Sequence, residues 1–352
     1  MVACPAGAQY HAYWGDVHGH TGLSDGKGSV EDYLTHARDV ARLDFVMVTD
    51  HDFGNAAPWR MPKEAWQQTQ DAVEAFTVPG KFVAIAGYEW TSQPKYWSEV
   101  GPGEPSERLF PGPPMYYNHK NVYFPAPVEY LFSAKDPAYS TPDLLAEAVR
   151  SAGGLIHNNH LTAGLEGRDQ FAYSPENSSV IANTEIHPDV IFWEGKRHDT
   201  NMEQMARDFL NGGGKTGFVG GSDTHDGRPA ARTAVLAKEL TREAIFDALR
   251  HRRNYGVWGA RIAVDFRMNG RPMGEEIEVD KAPRISVRVN GTDQIAAVEV
   301  LRDGDVIRAV HPDRRSARLS FADRSFGRSS YYYVRVTQVD TDEHGNPSRA
   351  WG

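Results

Sequence analysis

The chain has 352 residues, 40 % of them hydrophobic and 24 % charged, with a net charge of −9. That length holds two domains, or one barrel with an appendage, and the acidic balance without a basic stripe argues against a nucleic-acid-binding protein. A single cysteine, Cys4, excludes an intrachain disulfide and a cysteine-ligated metal site, and no apolar run approaches the ~20 residues of a membrane span. Nothing near the N-terminus reads as a secretory leader. The expected location is therefore cytoplasmic, or periplasmic or secreted if a leader has been removed.

The first two thirds alternate strand and helix signals. Apolar positions Val30, Tyr33, Leu34, Ala37, Val40 and Ala41 recur at helical spacing, and Ser29 with Asp32 forms a capping box at the start. Phe45-Val46-Met47-Val48 is apolar on both faces and predicts a buried strand running into Thr49-Asp50-His51-Asp52. A helix follows over about Glu64 to Phe76. Phe82 to Ala86 is the next strand, with Glu89 just past its end. Residues 91–140 then lose periodicity and are rich in Pro, Gly, Tyr and Trp. A loop of that length reads as a lid or pocket wall, with a peripheral insertion as the alternative. Within it, His119 to Phe124 reads as a short strand.

Thr141-Pro142 caps a helix that runs to Gly153-Gly154. Leu155-Ile156 leads into His157-Asn158-Asn159-His160, and another strand lies around Thr184-Glu185-Ile186-His187. A helix over about Thr200 to Leu210 ends at three glycines. Thr216 to Gly220 then leads into Gly221-Ser222-Asp223-Thr224-His225, and a last helix spans about Arg242 to Arg252. After Ala260 the pattern is two-residue alternation, with Asn269-Gly270, Asn290-Gly291 and Asp303-Gly304 as turn signals. The chain thus predicts an α/β barrel over 1–258 and a small antiparallel β-sandwich over 259–352, which packs on the barrel or mediates self-association, so a homo-oligomer is possible.

Chemistry concentrates at strand ends. Gly15-Asp16-Val17-His18-Gly19-His20, Thr49-Asp50-His51-Asp52, Gly87-Tyr88-Glu89-Trp90 and Gly221-Ser222-Asp223-Thr224-His225 place imidazoles and carboxylates where a barrel gathers them. In an extended segment His18 and His20 share a face, as do Asp223 and His225. Each residue singly reads as a satisfied polar group. Their joint order points to a metal centre.

These clusters, with Asn118-His119-Lys120-Asn121-Val122-Tyr123-Phe124 and Asp226-Gly227-Arg228-Pro229, resemble the PHP (polymerase and histidinol phosphatase) superfamily of metal-dependent phosphoesterases. The match is closest to its DUF3604 branch and covers nearly the whole chain. The resemblance implies a distorted seven-stranded TIM-like (β/α)7 barrel holding two or three divalent ions. It implies His18, His20, Asp25, His51, Glu89, His119, Asp223 and His225 as ligands, with Glu89 bridging. Where the family shows adjacent histidines, this chain has His157-Asn158-Asn159-His160. Spacing from the glycines favours His160 over His157.

An all-nitrogen and oxygen donor set suits Zn, Mn or Fe. Such ions generate hydroxide near neutrality and clamp phosphoryl oxygens. Three carboxylates (Asp25, Glu89, Asp223) against three divalent ions leave a positive pocket, so the expected substrate is a small anionic molecule, a phosphate mono- or diester. Hydrolysis of an amide, lactone or sulfate ester is the alternative, and a non-catalytic binding module the third. Asp16, Asp50 and Asp52 are expected to orient imidazoles. Asp52 or His187 is the candidate proton donor. Lys120, Arg168, Arg197 and Arg228 are candidate phosphate anchors, with loop bracing the alternative. Trp90, Tyr96, Trp97, Tyr116 and Tyr117 are candidate pocket walls, with core packing the alternative. No nucleic-acid or membrane partner is expected.

Overall fold

A computed structural model describes residues 10–53, 60–92, 117–161, 170–193 and 196–352. The first strands, in chain order, are β1 (His11–Asp16), β2 (Phe45–Val48), β3 (Val83–Thr91), β4 (His119–Tyr123), β5 (Leu155–Asn158) and β6 (Ile181–Glu185). A hairpin of β7 (Val190–Trp193) and β8 (Lys196–Asp199) precedes β9 (Gly217–Val219), β10 (Thr233–Ala237) and β11 (Asn254–Trp258). The helices are α1 (Val30–Thr35), α2 (Lys63–Phe76), α3 (Pro142–Ser151), α4 (Met202–Asn211) and α5 (Arg242–Arg250). The capping box predicted at Ser29 and Asp32 is present. The helical spacing beyond Thr35 is met by a wider π-type turn over His36–Val40, closed by Ala41 N donating to His36 O at 2.9 Å.

Seven strands lie side by side in the order β1-β2-β3-β4-β5-β6-β9. β1, β2 and β3 are parallel, as are β5, β6 and β9, but β4 runs antiparallel to both of its neighbours. β2 is buried along its whole length because a separate core covers each of its faces. Phe45, Met47, Val83, Ile85, Tyr123 and Leu155 pack in one core with α5, and Val46, Val48, Ala84 and Ala86 in a second with α1, α2 and α3.

The expected closed TIM-like barrel is not what forms. The fold is a mixed α/β structure around one large sheet that stays open. The reason is local. The outer edge of β1 is taken by β10, which pairs antiparallel from His11↔Ala237 to Gly15↔Thr233. That leaves β9 no ladder to complete. Beyond the strand ends a single parallel bridge, Gly19↔Thr224, does join the two margins. Asp223 N donates to His18 O at 3.1 Å there, and His20 N to Thr224 O at 2.8 Å. These bonds tie the His18-x-His20 pair to Asp223-x-His225.

The C-terminal strands are β12 (Ala263–Met268), β13 (Arg271–Pro272), β14 (Arg284–Arg302), β15 (Asp305–Val310), β16 (Arg314–Ala322), β17 (Tyr332–Thr341) and β18 (Pro347–Trp351). β14 is irregular between Asn290 and Ile295. Its first half pairs with β12 and β16, and its second with β15 and β17. Ile285, Val287, Val298, Val300, Leu319 and Val334 face one shared core, which also takes Trp14 of β1 and Tyr255 of β11. β18 pairs antiparallel with β11, so hydrogen bonding runs unbroken across the position 258/259 at which the sequence pattern changes. Among the described residues no helix is long and apolar enough to cross a membrane.

Candidate metal centre

Eight of the predicted residues converge on Glu89 or its immediate neighbours. Glu89 lies inside β3 rather than past its end, opposite Asn121 of β4, and Thr91 lies opposite His119. Oε1 of Glu89 is 2.8 Å from Nδ1 of His119, 3.2 Å from Nε2 of His160 and 3.4 Å from Nε2 of His18. Oε2 is 3.0 Å from Nδ1 of His51 and 3.4 Å from Nε2 of His20. Asp223, held at a left-handed φ of 49°, brings Oδ1 to 3.1 Å from Nε2 of His20 and 3.3 Å from Nε2 of His18. Asp25 completes the ring, with Oδ1 3.4 Å from Nε2 of His225 and Oδ2 3.4 Å from Nε2 of His51.

Among the described residues four overlapping donor sets result, each with its ligand atoms within 4.8 Å of one another: His20, Asp25, His51 and His225; His18, Glu89 and His160; His18, His20 and Asp223; His51, Glu89 and His119. Imidazole nitrogens and carboxylate oxygens converge here, and divalent cations fit that donor set.

The electrostatics follow from this crowding. Burial alone would raise the Glu89 carboxyl, but His119, His51 and His18 outweigh it and hold it well below the ordinary range. Burial likewise opposes the shift at Asp223 and Asp25, whose surrounding histidines hold both low. In return, against burial, Glu89 and Asp25 lift His51 to about 10. Asp25 and Asp223 lift His225 to about 9.

His157 stands apart from the centre. Its Nε2 contacts Nδ2 of Asn183 at 3.2 Å, its ring packs edge-on against Tyr123, and burial pushes it down to about 3. Of the two candidates in that segment, the structure brings only His160 to Glu89.

Glu185 was not singled out from sequence. Its Oε1 meets Nδ1 of His18 at 2.8 Å and its Oε2 accepts from His160 N at 2.6 Å, so one buried carboxylate orients a ring and anchors the segment carrying another. Gly221 makes room for it: a Cβ there would stand 1.9 Å from Oε1 of Glu185 and 2.6 Å from Cβ of His18. Asn159 was also missed, and donates to Glu89 at 2.7 Å and to Asn121 at 2.9 Å. We expect Glu185→Gln to weaken metal binding by roughly ten- to a hundredfold, read by competition with a chelating dye. Unchanged affinity would remove Glu185 from this role.

Three aspartates serve the backbone rather than the imidazoles expected of them. Asp16 accepts from Ser222 N and Ala230 N. Asp50 accepts from Thr21 N, Ser24 N and both hydroxyls. Asp52 accepts from Ser133 Oγ and Ala134 N, tying down the 131–135 loop. Lys120 is no phosphate anchor, since its buried ammonium donates to Tyr117 O, Asn158 Oδ1 and Gln170 O. Arg197 and Arg228 are exposed. Trp90 is a core residue that donates to Tyr139 O, and Tyr117 packs against it. Tyr96, Trp97, Tyr116 and Arg168 lie outside the described residues. Among the described residues an aromatic ring stands against the centre at Phe53, stacked on His51 at 4.5 Å with the Lys135 ammonium 4.9 Å from its centroid. His187 is buried beside Trp258, and burial together with Arg232 pushes it down to about 4 despite Glu185.

The profile of the family described as "Protein of unknown function (DUF3604)" matches residues 47–99 and 149–293. Uncharacterized proteins of Chlamydia trachomatis and Chlamydia muridarum are each 26 % identical over 99 % of this chain. One from Chlamydia pneumoniae is 22 % identical over 96 % of it. The chain spans 58 % of the length of the first two relatives. A crystal structure of a two-domain protein from Bacteroides vulgatus, containing a predicted PHP-like metal-dependent phosphoesterase, is similar at 14 % identity, covering 94 % of this chain and 91 % of that one, with a TM-score of 0.46.

Proposed function

The chain belongs to the family described as Protein of unknown function (DUF3604), and from that premise we propose that it is a metal-dependent hydrolase of small organic phosphate mono- or diesters. The observation that carries this reading is the Glu89 carboxylate, which reaches imidazoles of separate donor sets through each of its oxygens. Sets that share no imidazole can be drawn: His18, His20 and Asp223 with Glu89; His119 and His160 with Glu89; and Asp25, His51 and His225. They would hold two or three zinc, manganese or iron ions. Divalent ions bound there would polarise phosphoryl oxygens and lower the pKa of water into the neutral range.

The residues themselves set the approach. His18, His20, His51 and Glu89 are buried, whereas Asp25, His225, Asp223 and His160 have side chains 40 %, 30 %, 26 % and 21 % exposed. Substrate enters over those four. Ser133 and Ala134 hold Oδ2 of Asp52, while its Oδ1 is buried without a partner and burial raises its carboxyl, so Asp52 stays the candidate proton donor. His187, pushed down to about 4, is neutral where such a donor would have to be charged.

A panel of chromogenic phosphomonoesters, phosphodiesters, carboxylic esters, sulfate esters and lactones tests the assignment. Turnover of the phosphoesters, lost on chelation and restored by metal, is expected. Turnover confined to the other bonds overturns it.

Metal loading is expected to release at least two protons per chain near neutral pH. His51 at about 10 and His225 at about 9 hold theirs in the metal-free protein and must give them up to coordinate. Calorimetric titration in buffers of different ionisation heat counts them. Both folded values lie above the unfolded ~6.5, so their contribution is complete below ~6.5 and is lost as pH rises through 9 to 10. The metal-free protein should lose stability across that window, and an unchanged unfolding midpoint there would contradict the assignment of charge.

A further inference from the structure

His187 and Arg232 form an unexplained pair at the edge of the centre. His187 follows β6 two residues after Glu185, the carboxylate that orients His18. It is only 5 % exposed, yet neither ring nitrogen has a hydrogen-bond partner. Among the described residues it is the one imidazole with both nitrogens in that state. A neutral imidazole always carries one donor and one acceptor, and leaving both unmet in the interior is costly. Buried groups of this kind call for a ligand or ordered water.

Arg232 presents the matching anomaly. Its guanidinium lies 4.0 Å over the ring of Trp258, against which His187 also packs at 5.5 Å. Its Nε is buried without a partner, and the charges that reach it, Asp16 and Asp342, form no ion pair with it. Arg232 makes no other contact that would neutralise it among the described residues. A half-buried cation whose Nε has no partner and which forms no ion pair is a costly arrangement that a bound anion would relieve. Trp258 is fixed in turn by the C-terminal half, through Nε1 donating to Oδ2 of Asp342 at 2.9 Å in the turn between β17 and β18. The charges of Glu185, Asp223 and His160 act on His187, which follows Glu185 by two residues, so this wall adjoins the centre.

We propose that His187 and Arg232 form a second anion subsite, which takes a carboxylate or phosphate of the substrate other than the group cleaved. The preferred substrates are then phosphoesters that carry a further negative charge. This inference rests on the phosphoesterase reading for the word substrate, but not for the site itself. The indole of Trp258 serves as a rigid platform that holds the guanidinium in place. The C-terminal half contributes to specificity by holding that platform through Asp342.

The test is direct binding to the metal-loaded full chain, measured by calorimetry with inert probes. Propylphosphonate carries one anionic group, 3-phosphonopropionate adds a carboxylate, and propane-1,3-diphosphonate adds a second phosphonate. We expect one or both of the doubly anionic probes to bind about tenfold tighter than propylphosphonate. The tighter of the two identifies the second group. In Arg232→Met that ratio should fall to about one, and in Arg232→Lys, which keeps the charge without the planar fork, it should be intermediate. Metal content and unfolding midpoint report whether each variant remains folded. Equal affinities in the unaltered protein overturn the proposal whatever the variants do, and so does an undiminished ratio in a folded Arg232→Met. Loss of the phosphoesterase reading looks different: the binding ratio persists while no phosphoester is turned over.

Discussion

Replacing Glu89 with glutamine is expected to lower kcat/KM for phosphoesters by roughly three to four decades and to reduce bound metal per chain. Its two oxygens touch side chains from four separate segments: His18 and His20 after β1, His51 after β2, His119 on β4, and Asn159 and His160 after β5. No other carboxylate in the centre spans so much of the sheet. Glutamine keeps the shape, but removes the negative charge that His51 and His119 face and places an amide N–H₂ among nitrogens that are themselves donors or ligands. Ion stabilisation of developing charge is worth several kcal/mol, and each 1.4 kcal/mol is about a decade in rate. Elemental analysis and steady-state kinetics on the same preparations check both parts. Near-normal metal content with near-normal turnover would show that Glu89 bridges nothing.

How much of this centre was legible in sequence depended on how local each signal was. His18-x-His20 and Asp223-x-His225 were readable because side-chain alternation in an extended segment is a property of three residues. His160 was readable by counting from Gly153-Gly154, since a short strand of fixed rise separates the helix stop from the strand end. Glu185 was not. It is a lone carboxylate at the end of an otherwise ordinary strand, and its role exists only because β6 lies beside β5 and across from His18. The aspartates were misread for the same reason. Asp50 and Asp52 flank His51 in sequence, but successive side chains in an extended segment point to opposite sides, so the neighbours of a centre residue brace the loops behind it.

The open sheet was also beyond periodicity. Thr233–Ala237 and Asn254–Trp258 pair with each other, but their other partners lie far away in sequence, at His11–Gly15 and Arg349–Trp351. Alternation says that a segment is extended, not which edge it covers. The pairing of β10 with β1 decides that the barrel order stays unclosed, and the pairing of β11 with β18 decides that the C-terminal half is built onto the same sheet. The change of pattern near Ala260 was visible in the sequence, while the continuity of hydrogen bonding across it was not.

That continuity sets the second large effect, on stability. Glu203 of α4 is buried and accepts three hydrogen bonds from the C-terminal strands: Tyr333 OH at 2.7 Å, Arg335 Nη1 at 2.8 Å and Trp351 Nε1 at 3.0 Å. Arg335 is also held by Glu299 at 2.8 Å, so it stays in place when Glu203 is removed and is left with half of its charge partners. Breaking a buried pair in this way costs about 3–5 kcal/mol, a large share of the ~5–15 kcal/mol that holds a domain folded. Glu203→Ala should therefore move the urea unfolding midpoint sharply down, and Glu203→Gln, which keeps an acceptor, should fall between. Because β11 and β18 share a ladder and Trp14 shares the core of the sandwich, the loss should lower one common transition rather than release the C-terminal half alone. Far-ultraviolet dichroism and tryptophan fluorescence, followed together, decide this. Coincident curves that shift as one bear the coupling out. A separate early transition in the fluorescence would mean that α4 merely rests against an independent unit. The difference reaches the centre, since the turn that carries Asp342 to Trp258 joins the two strands that Glu203 holds.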